Sequence, residues 1–470
     1  MTDLLIHSGS VVTPEQVFVA DVAIIGEEIV AVGPDLERDA VQIVDASGAF
    51  LFPGFLDAHV HFNEPGRTEW EGISSGSSAL AAGGGTLYFD MPLNSTPPTL
   101  ESPDLLRKRE IAEAKSVTDF ALWGGLTPVN LAAMEELADL GVIGFKAFMS
   151  DSGVSDFPRA DSDALKRGME LAARRGLPVA VHAEDQELTA NLAQRLRSAG
   201  KTEWKDYLNS RPVEAELIAI RTALDLAGET GCRLHVVHVS CPEGIELIVK
   251  ARQKGVNVSV ETCPHYLLLT GEDLVKLGAP AKCAPPLRDE GRRSVLWSQL
   301  QAGLIDTLGS DHSPAPMEMK LSADAFSVWG GISGCQHGLA LVLAELFSTG
   351  GVRGLQHFAR MSATRVAERF DLESKGTIAP GFHADLVLVA FGEGSEISSE
   401  SLRYRHKMSP YVGQLLRAQV RRTWLRGQQI YGEGMRSEPR PMGRMVIPKR
   451  QDTLPTGDRE GRFLNRRSQR

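Results

Sequence analysis

The middle of the chain alternates short apolar runs with stretches that have a helical pattern of polar and apolar positions. This alternation is typical of βα units whose strands form a buried parallel sheet. Eight apolar runs are candidate strands: residues 55–61, 86–91, 120–126, 142–149, 178–184, 233–240, 257–263 and 305–311. Eight parallel strands with intervening helices predict an α/β fold, a (β/α)8 TIM-like barrel.

The two ends of the chain have a different pattern, in which short β-rich runs are separated by turn residues. The first 50 residues contain LLIHSGSVVT, VFVADVAII and EEIVAVG, and a similar pattern returns in GFHADLVLVAF and VRRTWLRGQQIYG. Such runs are typical of antiparallel sheets. We therefore expect a small β-sandwich domain from residues 1–52 and 376–435, beside a barrel from residues 53–375.

The last segment, residues 436–470, differs from both in composition. It has ten Lys or Arg against four Asp or Glu, several Pro and Gly, and few large apolar residues. This composition predicts an extended or disordered basic tail, or one that wraps a neighbour. An anion-binding role for the tail is a less favoured alternative.

The overall composition indicates a soluble cytoplasmic protein. The hydrophobic fraction is 42% and the charged fraction 23%, and a net charge of -10 argues against a nucleic-acid-binding surface. The start MTDLLIHSGS lacks the features of a signal peptide, and we expect no membrane association. Five cysteines without a C-x-x-C motif are interpreted as reduced thiols.

Polar residues at the carboxyl ends of the predicted strands carry the candidate chemistry, because active sites of such barrels lie at that face. A single histidine there is usually structural, but a lone buried lysine needs a compensating partner. Five different strands together supply six such residues, which predicts a metal centre. The residues are His59, His61, Lys146, His182, His238 and Asp311.

These nitrogen and oxygen ligands suit divalent Zn²⁺, Mn²⁺, Co²⁺ or Fe²⁺, and we favour Zn²⁺. Two such ions can share a hydroxide at neutral pH, and Asp311 could then shuttle its proton. His235 is excluded from the site, because its odd separation from His238 predicts that it faces the helices. His312 stays open between a supporting role and a substrate contact.

Seven motifs in order resemble the cyclic amidohydrolases of the amidohydrolase superfamily, and among them the allantoinases. The motifs are DAHVHFNEPGRTEWEG, GFKAFMSDSG, VHAED, VHVS, ETCPHYL, CAPPLR and GSDHSP. The resemblance covers roughly residues 1–435. It implies a metal-dependent enzyme that opens the hydantoin ring of allantoin to give allantoate, in purine catabolism, and that assembles as a homotetramer.

The resemblance also implies a role for each candidate ligand. His59 and His61 would bind one metal ion with Asp311, and His182 and His238 would bind the second. Lys146 would be carbamylated by CO2 or bicarbonate, which gives a carboxylate that bridges both ions. A bridging hydroxide would attack the ring carbonyl, and Asp311 would pass the proton to the departing ring nitrogen.

Two departures from related enzymes bear on the substrate. Dihydroorotases typically carry an arginine where this chain has Asn63, although Arg67 is nearby, and hydantoinases carry a tyrosine where this chain has MSDSG. Both departures favour an uncharged ureide ring. Hydantoinase, dihydropyrimidinase and dihydroorotase activity remain alternatives, as does a metal-free structural homologue. Candidate substrate contacts are Asn63, Asn94, Ser150, Ser152, Ala284 and Gly331.

Overall fold

The structure is a computed structural model and describes residues 2–435 and 437–449. The strands are β1 (Thr2–Val12), β2 (Val17–Ile25), β3 (Glu28–Gly33), β4 (Ala40–Asp45), β5 (Phe50–Pro53), β6 (Phe55–Val60), β7 (Gly85–Asp90), β8 (Asp119–Leu122), β9 (Gly124–Gly125), β10 (Phe145–Phe148), β11 (Pro178–His182), β12 (Arg233–Val236), β13 (Val258–Thr262), β14 (Thr307–Leu308), β15 (Leu386–Glu396), β16 (Leu415–Leu425) and β17 (Gln428–Gly432). The α-helices are α1 (Ile73–Ala82), α2 (Ser102–Lys115), α3 (Met134–Asp139), α4 (Ser162–Arg174), α5 (Gln186–Ser198), α6 (Trp204–Ser210), α7 (Val213–Thr230), α8 (Pro242–Gln253), α9 (Pro264–Leu268), α10 (Gly271–Leu277), α11 (Glu290–Gln301), α12 (Gly338–Ala359) and α13 (Arg365–Arg369).

The parallel barrel is formed by β6 to β14, with β8 and β9 as two parts of one strand on either side of Trp123. The ring closes through a parallel bridge between Val60, at the end of β6, and His312, beyond β14. All eight candidate strands are present, and the predicted fold class is confirmed. The last is shortened to Thr307–Leu308, because the chain leaves the ladder before Asp311, whose φ is 46°.

The second sheet joins both ends of the chain, as the pattern of short β-rich runs predicted. Its strand order is β17-β16-β15-β5-β1-β2-β3, and β4 pairs with β1. The junction is the antiparallel pairing of β5 with β15, in which Leu51 lies opposite Leu388. A separate apolar cluster that includes Val22, Leu386 and Trp424 forms the core of this domain. The limits 1–52, 53–375 and 376–435 remain a prediction.

The described part of the C-terminal tail lies along the barrel. Phe120 donates its backbone N–H to the Arg444 carbonyl oxygen at 3.1 Å, and Val446 donates to the Phe120 carbonyl at 2.7 Å. Residues 444–446 therefore pair with β8 through a parallel bridge between Phe120 and Met445. The rest of the predicted tail, residue 436 and residues 450–470, lies outside the described residues.

One helical segment, Gly338–Arg369, is long and apolar enough to cross a membrane by length and composition alone. Half of its most apolar window is buried inside the protein. Its apolar side chains, among them Leu343, Leu346 and Phe358, belong to the main hydrophobic core. The segment is interpreted as a core helix of the barrel.

A buried ion cluster holds the β domain against the barrel. The Lys375 ammonium donates to Asp119 at 2.9 Å and to Asp385 at 2.6 Å, and Arg426 also pairs with Asp119. Burial opposes the charge on Lys375, but Asp385 and Asp119 raise its pKa above the ordinary value. The cluster therefore remains ionised inside the protein.

Replacing Lys375 with methionine is expected to lower the free energy of unfolding by about 3–5 kcal/mol, because it leaves the buried Asp385 carboxylate without its cationic partner and removes one of the two cations at Asp119. Urea denaturation measures this change. Lys276→Met is the control, since its exposed ion pair with Asp273 is 4.0 Å long and its loss should cost less than about 0.5 kcal/mol. Equal midpoints for the two variants would refute the structural role of Lys375.

Candidate active site

A cavity of about 540 Å³ opens at the carboxyl ends of the barrel strands. Five of the six predicted metal ligands line it: His59, His61, His182, His238 and Asp311. The sixth, Lys146, is fully buried. The structure therefore brings residues from five strands, separated by up to 252 positions, to one place.

The first half of the site is formed by His59, His61 and Asp311. Their potential ligand atoms lie within 4.8 Å of one another. The Nε2 atoms of His59 and His61 are 3.2 and 3.5 Å from the same Asp311 oxygen. Burial alone would raise the pKa of Asp311, but the facing histidines lower it well below the ordinary value. An ionised carboxylate and two imidazoles therefore converge on one point, as a divalent cation requires.

The second half of the site is formed by His182 and His238. His182 Nδ1 lies 3.1 Å from His238 Nε2, while His182 Nε2 faces the Glu184 carboxylate at 2.9 Å. Burial lowers the pKa of both histidines, which favours the neutral imidazoles that bind metal. Because Glu184 favours a proton on Nε2, Nδ1 of His182 presents its lone pair to the site.

Lys146 lies on β10, the strand paired with β11 that carries His182, and its side chain has 0% exposure. Its Nζ has no hydrogen-bond partner among the described residues and lies 5.3 Å from the centroid of the Phe148 ring. Burial lowers the pKa of the amine to about 8, which favours the neutral, nucleophilic form. An unpartnered buried amine beside converging ligands fits a lysine that acquires a carboxylate.

The structure corrects the interpretation of His235. Its ring lies inside the barrel, with Nε2 3.6 Å from Glu261 and Nδ1 2.8 Å from the Ser259 hydroxyl. The two-residue alternation fails here because β12 ends at Val236 and His238 has a φ of 42°. His235 and His238 can therefore both face the interior despite their odd separation.

Only some of the predicted substrate contacts line the cavity. Asn94, Ser152, Ala284 and Gly331 line the cavity. Asn63 is buried and donates from its amide to the Pro314 carbonyl oxygen at 3.3 Å, and Ser150 is also buried. Neither of these two is part of the cavity wall that the structure describes.

The polar run after His61 anchors loops around the cavity. Glu71 is buried and accepts the Arg405 backbone N–H at 3.2 Å, while the Glu69 carbonyl oxygen contacts His406 at 2.8 Å. Trp70 packs edge-on against Trp329, with ring centroids 4.9 Å apart. Arg67 donates to the Asn94 carbonyl oxygen at 3.0 Å. This run therefore connects the end of β6 to segments that are distant in the sequence.

His312 is fully buried beside this run. Its Nδ1 accepts the Gly334 backbone N–H at 3.1 Å, and its own carbonyl oxygen accepts from the His61 backbone at 2.7 Å. Burial lowers its pKa to about 3, so the ring is neutral. Of the two roles left open for His312, the supporting one fits these contacts.

Four polar residues of the site were not identified from sequence. Glu261 holds His59 Nδ1 at 2.8 Å, Glu184 holds His182, and Arg211 and Lys282 line the cavity. The sequence did contain a signal for Glu261, because this charged residue interrupts the run VSVET in the same way that Lys146 interrupts VIGFKAFM. Arg211 and Lys282 lie in loops and have no local pattern.

Comparison with known proteins identifies the family. A model of the amidohydrolase family matches residues 50–430, which include both halves of the site and Lys146. The chain belongs to the amidohydrolase family. Amidohydrolases of this kind use divalent metal ions, and the orphaned Lys146 amine and the converging imidazoles fit that use.

Relatives of this amidohydrolase have consistent names. An allantoinase of Solibacter usitatus (strain Ellin6076) is 50% identical over 431 residues, 92% of this chain and 94% of that protein. An allantoinase of Deinococcus radiodurans is 48% identical over 447 residues, covering 95% of this chain and 99% of that protein. An Escherichia coli allantoinase (strain K12 / DH10B) is 40% identical over 453 residues, covering 96% and 99%.

Solved structures of related amidohydrolases have the same architecture. The L-hydantoinase (dihydropyrimidinase) from Arthrobacter aurescens superposes with a TM-score of 0.92 at 31% identity, covering 95% of this chain and all of that one. The dihydropyrimidinase from Brevibacillus agri NCHU1002 gives 0.88 at 32% identity, covering 96% and 99%. The sequence-based resemblance to cyclic amidohydrolases is confirmed.

Proposed function

We propose that this amidohydrolase hydrolyses the cyclic amide bond of allantoin to give allantoate. The observation that carries the proposal is the convergence of four histidines and one aspartate on a single cavity, with the fully buried Lys146 on the neighbouring strand β10. The names of relatives that are 40–50% identical over nearly their whole length support the choice of substrate.

The donor set assigns two cation sites. His59 Nε2, His61 Nε2 and Asp311 would hold one divalent ion, and His182 Nδ1 and His238 Nε2 the other. Zn²⁺ is our first choice, with Mn²⁺, Co²⁺ and Fe²⁺ as alternatives. When bound, such ions lower the pKa of water toward roughly 7 and polarise a carbonyl oxygen.

Lys146 is the proposed bridge between the two sites. Its neutral amine would attack CO2 and lose a proton, which gives an N-carboxylate in place of an ammonium. The partner-free Nζ and the pKa of about 8 support this reaction. The modification also removes the cost of an uncompensated cation in the barrel interior.

Asp311 is the proposed acid–base residue. Its side chain is 13% exposed to the cavity and lies next to both His59 and His61. The facing histidines lower the pKa of its carboxyl and keep it ionised, so its oxygens are free to take a proton from the attacking water. It would then deliver that proton to the ring nitrogen as the carbon–nitrogen bond breaks.

The cavity wall supports an uncharged cyclic ureide as substrate. Asn94, Ser152 and the backbone at Ala284 and Gly331 would pair with the ureide oxygens and N–H groups. Arg67 is engaged with Asn94 and Trp70, so it is not free to replace the arginine clamp of dihydroorotases. The two cations in the wall are also engaged, Arg211 with Glu184 and Lys282 with the Phe326 and Val328 carbonyl oxygens. A ring without a carboxylate therefore suits this site better than dihydroorotate.

Parallel assays with allantoin, dihydroorotate, hydantoin and dihydrouracil test the substrate. We expect kcat/KM for allantoin to exceed that for each of the others by at least about tenfold, a difference of roughly 1.4 kcal/mol in transition-state binding. A higher value for any of the other rings would overturn the assignment while leaving the hydrolase reaction intact.

We further propose a cytoplasmic homotetramer. The five cysteines are buried free thiols, as expected in a reducing compartment. The net charge of -10 supports an enzyme that binds neither nucleic acid nor membrane. Light scattering at several concentrations would measure the oligomeric state.

A further inference from the structure

Glu261, on β13, is a buried carboxylate attached to one half of the site. It is fully buried, and its Oε1 lies 2.8 Å from His59 Nδ1. Its Oε2 lies 3.6 Å from His235 Nε2. Within residues 2–435 and 437–449, no lysine or arginine forms an ion pair with it. The carboxylate thus fixes the His59 ring, and its described ion-pair partners are histidines only.

The space for this carboxylate depends on Gly309. A Cβ atom at that position would lie 2.6 Å from Glu261 Cδ and 2.6 Å from Oε2. The φ angle of Gly309 is outside the left-handed region, so only this contact opposes a larger residue. An alanine there would displace Glu261 without removing any polar group.

The His182/His238 half of the site is held by a different carboxylate, Glu184. Glu184 faces His182 Nε2 at 2.9 Å and also forms an ion pair with the Arg211 guanidinium. Arg211 is itself part of the cavity wall. The negative charge behind His182 is therefore offset by a fixed positive charge, whereas the charge behind His59 is not.

We propose that Glu261 is a positioning residue that makes the two metal sites unequal. It holds His59 with Nε2 toward the site and adds uncompensated negative charge, so the His59/His61/Asp311 site retains its ion more tightly than the His182/His238 site. A carboxylate that accepts from a ligating histidine raises the basicity of that ligand, and its loss typically lowers metal affinity about 10–100-fold. The inference rests on the proposed function, because it requires both sites to bind metal.

Stepwise metal removal tests the proposal. The purified enzyme is dialysed against increasing concentrations of a chelator, and bound metal per chain is measured at each concentration. We expect two steps in the wild type, with a plateau of one ion. Glu261→Gln should lower the chelator concentration of the later step by about 10–100-fold, so that the plateau at one ion disappears.

Two further variants separate this role from a general loss of stability. Gly309→Ala should shift the same later step, because it displaces the same carboxylate. Glu184→Gln should shift only the earlier step. Gly392→Ala is the matched control, since a Cβ there meets nothing within 4 Å, and it should give the wild-type curve. Thermal unfolding of each variant without metal reports whether the fold is kept.

The outcomes distinguish this inference from the proposed function. If the wild type hydrolyses allantoin with two ions but Glu261→Gln and Gly309→Ala keep its two-step curve, the inference alone is overturned. A later step that moves with Glu184→Gln instead of Glu261→Gln overturns it as well. A wild-type chain that binds no divalent metal overturns both.

Discussion

Replacing Lys146 with methionine is expected to lower kcat/KM by roughly 10³-fold or more and to reduce the metal bound per chain. Methionine keeps the buried volume but cannot react with CO2, so the anionic bridge between the two sites is lost. The amine has no other partner among the described residues, and its removal should cost little stability. Metal analysis and a steady-state assay with allantoin measure the two effects.

Lys282→Met is the control for this experiment. Lys282 is also a buried lysine at the cavity, but its Nζ donates to the Val328 and Phe326 carbonyl oxygens. Its loss should change substrate binding through the loop and leave the metal content at the wild-type value. A Lys146→Met chain with unchanged rate and metal content would refute the bridging role.

Replacing Asp311 with asparagine is expected to lower kcat by about 10²–10⁴-fold. The amide fills the same volume but cannot accept and return the proton. Because Asp311 also faces His59 and His61, bound metal should decrease in the first half of the site. The assay is a comparison of single-turnover rates at saturating allantoin, with metal content measured on the same sample.

Asp289→Asn is the matched control for that substitution. Asp289 caps helix α11 by accepting the Arg292 N–H at 3.0 Å, and asparagine caps helices equally well. This variant should keep the wild-type rate. A rate for Asp311→Asn within about threefold of wild type would contradict its assignment as the acid–base residue.

The fold and the clustering of the six candidate ligands could be predicted from the sequence, because both follow from the strand pattern. A parallel barrel brings all carboxyl strand ends to one face, so polar residues that end apolar runs must converge there. His59 and His61 needed only a separation of two residues. Lys146 was conspicuous as a charge inside the apolar run VIGFKAFM.

The residues that hold the candidate ligands in place could not be predicted from the sequence, because their contacts depend on three-dimensional packing. Glu184 and Arg211 meet across 27 residues, and Glu261 contacts His59 across 202. His235 was misplaced because β12 ends at Val236, four residues before the end of the apolar run 233–240. Left-handed φ angles at His238 and Asp311 re-aim their side chains, and no periodic pattern predicts such angles.

We propose that this amidohydrolase uses two divalent metal ions to hydrolyse a cyclic ureide. The most direct test is to strip the chain of metal, restore Zn²⁺, Mn²⁺ or Co²⁺ stepwise with bicarbonate present, and follow allantoin hydrolysis. We expect activity to rise with added metal and to saturate at two ions per chain. A chain that takes up no divalent metal, and does not hydrolyse allantoin after metal and bicarbonate are supplied, would contradict it.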